Sequence, residues 1–186
     1  LGNPVRFTFQ CGVCIAHFSI HLVENTVNCS QQYYCPTALP RPMDEANLLG
    51  LLNRMNLWWD NEEVQDSLKK AEHRRRDFYK IRERLMTSQR SILTIRGPRQ
   101  VGKTTLCGQL IESLLTEDNI PSDRILYLTI ENSAILSNPE GVIEQALEAF
   151  RTNILQKDFR DVEGSVYVFV DEVQKAPNWG DTLKYY

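Results

Sequence analysis

The sequence contains no apolar run long enough to span a bilayer. The stretch 11–23 is apolar over only 13 residues, whereas a spanning helix needs about 20. Internal repeats and low-complexity tracts are also absent, which excludes solenoid, collagenous and compositionally disordered classes. Net charge is small: 21 Lys and Arg against 24 Asp and Glu give −3, so no global attraction to nucleic acid is expected. Methionine is missing at residue 1 and first occurs as Met43. A secretory signal is disfavoured, because His17 and His21 interrupt the apolar stretch and no initiator precedes it. Cysteine is sparse, yet four of the five (Cys11, Cys14, Cys29, Cys35) fall in this leader. Cys11-x-x-Cys14 has the spacing of half a zinc knuckle, but Cys29 and Cys35 are separated by five residues rather than two to four. Residues 1–42 are therefore expected to be a leader outside the fold and upstream of the true start, and Asn28-Cys29-Ser30 an unused sequon.

What is present is concentrated in the second half. Residues 97–104 read Gly97-Pro98-Arg99-Gln100-Val101-Gly102-Lys103-Thr104, a G-x-x-x-x-G-K-T loop without mismatch, followed by Thr105. An apolar run (Ile92, Leu93, Ile95) precedes it and a helix-periodic run (Leu106, Leu110, Leu114) follows. That context predicts a strand, an anion-cradling loop and a helix whose first N–H groups lack intrahelical partners. Gly97 and Gly102 allow close phosphate approach, Lys103 neutralises the β- and γ-phosphates, and the Thr104 hydroxyl holds Mg²⁺. The alternative is a chance match in an ordinary loop.

Further along, Val166-Tyr167-Val168-Phe169-Val170 is a continuous apolar run, as expected of a strand buried on both faces. It ends in Asp171-Glu172. Adjacent strand residues face opposite ways, so the two acids can divide the work: Asp171 for the metal and Glu172 as the base that activates water.

The loop from Gly97 to Leu106 resembles the phosphate loop of archaeal-type and bacterial AAA-superfamily ATPases. Val170-Asp171-Glu172-Val173-Gln174-Lys175-Ala176-Pro177-Asn178-Trp179 and Asn56-Leu57-Trp58-Trp59 are similar to the same family. The resemblance covers about 43–186. It implies ATP rather than GTP, Mg²⁺, Glu172 as base, and an additional-strand P-loop core: an α/β three-layer sandwich with a parallel sheet. It also implies a strand after Glu172, lying between the phosphate-loop strand and the Asp171 strand, with a sensor residue, an arginine finger and a lid. The chain ends at Tyr186 before these, so a truncated core with two unpaired strand edges is expected, aggregation-prone by itself. The expected layout is a leader at 1–42, a helical segment at 43–90 and the core at 91–186.

Charge is unevenly distributed. Residues 69–99 hold 11 Lys or Arg against 3 Asp or Glu, a local +8, and the remaining 10 basic and 21 acidic residues leave −11 elsewhere. The basic segment reads either as a solvated helix face or as a surface for phosphates, without interleaved aromatics to stack bases. Helices are expected over 44–55, over 62–86 and from Asn138-Pro139-Glu140 onward, and strands over 91–96 and 124–130. Trp58, Trp59 and Trp179 are expected to pack rather than stack on adenine, and Cys107 to be a buried filler rather than a reactive thiolate. Three functions fit: a cytoplasmic ATPase with a protein partner or homo-oligomer, a nucleotide-operated switch, and a nucleic-acid-associated ATPase.

Overall fold

The computed structural model describes residues 5–11, 43–61, 73–87 and 92–185. In chain order its elements are β1 (Val5–Cys11), α1 (Glu45–Met55), α2 (Trp58–Asn61), α3 (Arg76–Thr87), β2 (Ile92–Arg96), α4 (Lys103–Thr116), β3 (Ile125–Thr129), α5 (Ser133–Leu136), α6 (Val142–Ala149), β4 (Val166–Asp171) and α7 (Trp179–Tyr185). The strands form one parallel sheet in the order β2-β1-β4-β3, so the chain is α/β. Every residue of β4 and all but the last of β3 are buried. Both are the uninterrupted apolar runs that a sheet covered on both faces requires.

The position of β1 corrects the expectation for the leader. Val5–Cys11 lies between β2 and β4, with Phe7 opposite Ile92 on one side and opposite Val168 on the other. The two edges expected to be unpaired are both paired. The strand escapes a sequence reading because Val5, Phe7 and Phe9 alternate with Arg6, Thr8 and Gln10, a pattern of half-buried strands rather than of central parallel ones. Of the proposed knuckle, Cys11 belongs to this strand, while Cys14, Cys29, Cys35, His17 and His21 lie outside the described residues. Among the described residues there is no cluster of ligating side chains able to hold a metal, and no helix long and apolar enough to cross a membrane.

The other edge of the sheet is β3, and side chains complete it. Asn56 accepts a hydrogen bond from the Tyr127 N–H (2.6 Å) and donates from Nδ2 to the Tyr127 carbonyl (2.9 Å), an exchange that imitates a neighbouring strand. The indoles of Trp58 and Trp59 both donate to the Ile125 carbonyl, at 3.1 and 2.9 Å. Trp58 is fully buried and Trp59 stacks on Phe150 with centroids 5.7 Å apart, so these tryptophans pack, as expected. Asn56→Ala removes a buried donor and acceptor while their Tyr127 partners stay in place. Each unsatisfied buried group costs roughly 1–3 kcal/mol. A loss on the order of 2–4 kcal/mol in urea unfolding is expected; a change below the uncertainty of the extrapolation would refute this bridging role.

Helix boundaries shift where backbone geometry overrides the cap signal. The helix expected from Asn138-Pro139-Glu140 begins only at Val142, after Gly141 in the left-handed region (φ 67°). The capping Asn is instead Asn132, whose side chain accepts from the Ala134 N–H at 3.0 Å and starts α5. The apolar face Val142, Ile143, Ala146, Leu147 and Phe150 is buried as its period predicts. It runs on into a π-helical turn, Phe150–Leu155. Of the 62–86 expectation, 76–86 is helical within α3, and 62–72 lies outside the described residues.

Candidate nucleotide site

The glycine-rich loop joins β2 to α4. Gly102 caps α4 with φ 84° and ψ 29°, a left-handed conformation that most side chains resist. At Gly97 a Cβ would stand 3.3 Å from Val101 Cγ2, a tight contact that would require the Val101 side chain to give way. Gln100 also has positive φ (60°). No side chain caps the N-terminus of α4. Its first N–H groups and the positive end of a 14-residue helix dipole are thus left without a side-chain cap, an arrangement that favours an anion. Lys103 Nζ donates to the carbonyls of Gly97 (3.2 Å) and Pro98 (2.9 Å), folding the ammonium back across the loop.

The carboxylate half arrives on β4. Asp171 is only 3% exposed. Its Oδ2 accepts from Thr104 Oγ1 at 2.7 Å, although 67 residues separate the two, and from the Tyr127 hydroxyl at 3.3 Å. Its Oδ1 accepts from the Glu172 N–H at 2.8 Å. Burial pushes the Asp171 carboxyl above its ordinary pKa; the Thr104 and Glu172 N–H hydrogen bonds pull against that shift, and the Glu172 charge adds to it. Such a group favours a compensating cation. The paired Thr104 hydroxyl and Asp171 carboxylate therefore suit a hard oxygen-seeking cation such as Mg²⁺.

Glu172 follows with φ 55°, half-buried, its Oε2 accepting from Gln174 Nε2 at 2.6 Å. Glu172 thus lies just beyond the end of β4 in a left-handed turn, less buried than Asp171. Tyr127 is the residue that sequence reasoning missed. Burial, then the nearby Asp171, pushes its phenol well above the ordinary value, so it remains a donor to the carboxylate. A hydroxyl inside the apolar run of β3 is the only sequence signal that could have pointed to it.

On the other side of the loop lies a cavity of about 870 Å³ between α3 and the start of α4. Gly97, Pro98, Val101, Gly102, Lys103 and Thr105 line one wall, and His73, Arg75, Lys80 and Arg84 contribute to the other. Asp171 and Glu172 are not part of it. Asp77 and Glu83 also line this compartment, among a larger number of basic residues. Arg99 and Gln100 are exposed at its tip.

The basic segment is divided by packing. Arg82 donates to Ser113 Oγ (2.8 Å) and pairs with Asp118 (2.6 Å). Arg74 pairs with Glu117 and lies over the Phe78 ring, 4.5 Å from its centroid. These two fasten α3 to α4. Cys107, buried one turn into α4, packs in the core, and burial pushes its thiol up, which disfavours a thiolate.

No curated protein and no solved structure matches the chain. A family model described as an AAA domain matches residues 89–186, more than half of the chain, and spans both the glycine-rich loop and the Asp171-bearing strand. The chain therefore belongs to the AAA domain family, whose function is of the P-loop NTPase type.

Proposed function

We propose that the protein is an ATPase that binds ATP with Mg²⁺ and hydrolyses it to ADP and phosphate. The observation that carries this reading is the 2.7 Å hydrogen bond from Thr104 to Asp171, which joins the loop to the carboxylate strand. The N–H groups at the start of α4 bind the phosphate chain, with Pro98 to Val101 shaping the loop around it. Lys103 leaves its carbonyl partners to neutralise the β- and γ-oxygens. Thr104 Oγ1 and Asp171 hold Mg²⁺, which, when bound, lowers the charge on the transferring phosphoryl group. Glu172 takes a proton from water as its oxygen bonds to the γ-phosphorus and the bond to the bridging oxygen of ADP breaks. The nucleoside extends toward the cavity beside α3. Helices on both faces of the sheet, making three layers, complete the proposed core, which joins β1 to residues 91–186, and residues 43–90 serve as its helical flank.

Glu172→Gln preserves size and hydrogen bonding but removes the base. Binding of ATP by calorimetry should stay near the parental value while steady-state hydrolysis falls roughly 10²-fold or more. Asp171→Ala should instead weaken the Mg²⁺-dependent part of binding. Parental turnover by Glu172→Gln would end the base assignment.

The hydrogen bond from Gln174 supports a second reading, a nucleotide-operated switch, because it holds Glu172 to a neighbouring side chain. In that case the parent gives a rapid product burst followed by slow turnover until a partner is added. A nucleic-acid surface is less favoured, since Arg74 and Arg82 of the basic segment are engaged in packing.

A further inference from the structure

We propose that Arg75 is a nucleotide-binding residue supplied from outside the glycine-rich loop, bracing the loop at Val101 and meeting the α-phosphate end of the bound nucleotide. The inference rests on the ATP-binding reading above and adds a residue that no motif contains. Arg75 immediately precedes α3, 26 residues before its contact in the loop. Its Nη1 donates to the Val101 carbonyl at 2.8 Å. Its guanidinium carbon stands 3.9 Å from where a Cβ on Gly102 would be, directly beside the left-handed turn that starts α4.

The segment carrying Arg75 is fixed on both sides. Gln109 Nε2 of α4 donates to the His73 carbonyl (3.2 Å), and the Phe78 N–H donates to the carbonyl of Arg75 itself (3.0 Å). Phe78 is fully buried beneath, and Arg74 and Arg82 tie the helix to α4. Arg75 is therefore a long cationic side chain on an anchored backbone, aimed at a loop built to bind phosphate. A guanidinium has five N–H donors in a planar fork. One is used on Val101, and Arg75 makes no ion pair with an acid among the described residues.

Its place along the nucleotide follows from the two sides of the loop. Asp171 and Glu172 mark the side where the γ-phosphate reacts. Arg75 lines the cavity with Gly102, Lys103 and Thr105, and neither acid belongs to that lining. A phosphate chain laid over the start of α4 thus has its terminal phosphate at the carboxylates and its α-phosphate toward Arg75. Lys103 serves the β- and γ-phosphates. The two cations consequently differ in what they sense: Lys103 responds to the terminal phosphates, Arg75 to a phosphate shared by ATP and ADP.

The test is calorimetric binding of Mg·ATP and Mg·ADP to the full chain and to Arg75→Ala, Arg75→Lys, Lys103→Ala and the exposed control Arg76→Ala. Hydrogen bonds to charged groups are strong enough that losing this one should weaken both nucleotides by the same factor, about tenfold. Arg75→Lys should recover only part, because an ammonium cannot serve the carbonyl and the phosphate together. Arg76→Ala should bind as the parent does. If Arg75→Ala binds both nucleotides within twofold of the parent while Lys103→Ala binds neither, the proposal fails and the ATP reading stands. A loss for ATP alone would overturn the α-phosphate placement. A lowered melting temperature of the nucleotide-free protein, with affinity restored in full by Arg75→Lys, would reduce Arg75 to a brace and also overturn it. Parental binding by both Arg75→Ala and Lys103→Ala would remove the ATP reading on which the proposal depends.

Discussion

Lys103→Ala is expected to abolish ATP binding while leaving the fold intact. The ammonium already lies across the loop on the Gly97 and Pro98 carbonyls, from which its flexible stem can carry it to the β- and γ-phosphates. Its present partners are the carbonyls of Gly97 and Pro98, which remain accessible to water when the side chain is truncated. Truncation therefore leaves little buried unsatisfied polarity and little effect on stability. Binding loses far more. Without Lys103 the helix dipole and N–H groups alone face the charge of a triphosphate, and mutual phosphate repulsion goes uncompensated. Calorimetry of parent and variant decides the matter: comparable affinities, with the variant's melting temperature unchanged, would remove this loop from the nucleotide site.

Removal of residues 1–11 should have the largest structural effect. β1 makes five register pairs with β2 and five with β4. At about 1 kcal/mol net per backbone hydrogen bond, their loss is on the order of the whole stability of a small domain. β2 depends on β1 most, because it stands at the sheet edge and β1 is its one strand partner. With β2 detached, the glycine-rich loop is no longer held at the distance from β4 that lets Thr104 reach Asp171. The shortened chain should lose cooperative thermal unfolding, expose apolar surface to a hydrophobic dye and fail to bind ATP. A cooperative transition at the parental temperature would restore the original expectation that the leader stands apart from the core.

Several features of this molecule were legible because their causes are local. The glycine-rich loop is specified by contiguous residues whose backbone angles and charge explain the motif, and α4 carries the periodic run Leu106, Leu110 and Leu114 expected to follow it. β3 and β4 announced themselves because burial on both faces leaves no polar position within the run. Asp171 and Glu172 stand out in the sequence because they end the apolar run, although Glu172 lies beyond the strand in a left-handed turn. Thr104 and Asp171 are each expected at a metal from their own motifs, and the hydrogen bond between them is seen only in the fold.

The remaining features depend on partners distant along the chain. The neighbours of β1 are 85 and 161 residues away, at Ile92 and Val168, and its alternating pattern carries no trace of them. Asn56, Trp58 and Trp59 look like an aromatic turn, yet they supply hydrogen bonds that the edge of β3 would otherwise lack. The basic segment is uniform in sequence, but packing separates Arg74 and Arg82, which fasten α3 to α4, from Arg75, which reaches the loop. Tyr127 became a partner of Asp171 only when β3 came to lie beside β4. By itself the sequence determined the α/β class, the glycine-rich loop between strand and helix, and the two acids that follow a buried run, because each rests on the chemistry of adjacent residues. Only the tertiary structure decided which strand joins the loop to the acids and which cation stands beside the loop, because both follow from long-range pairing and packing.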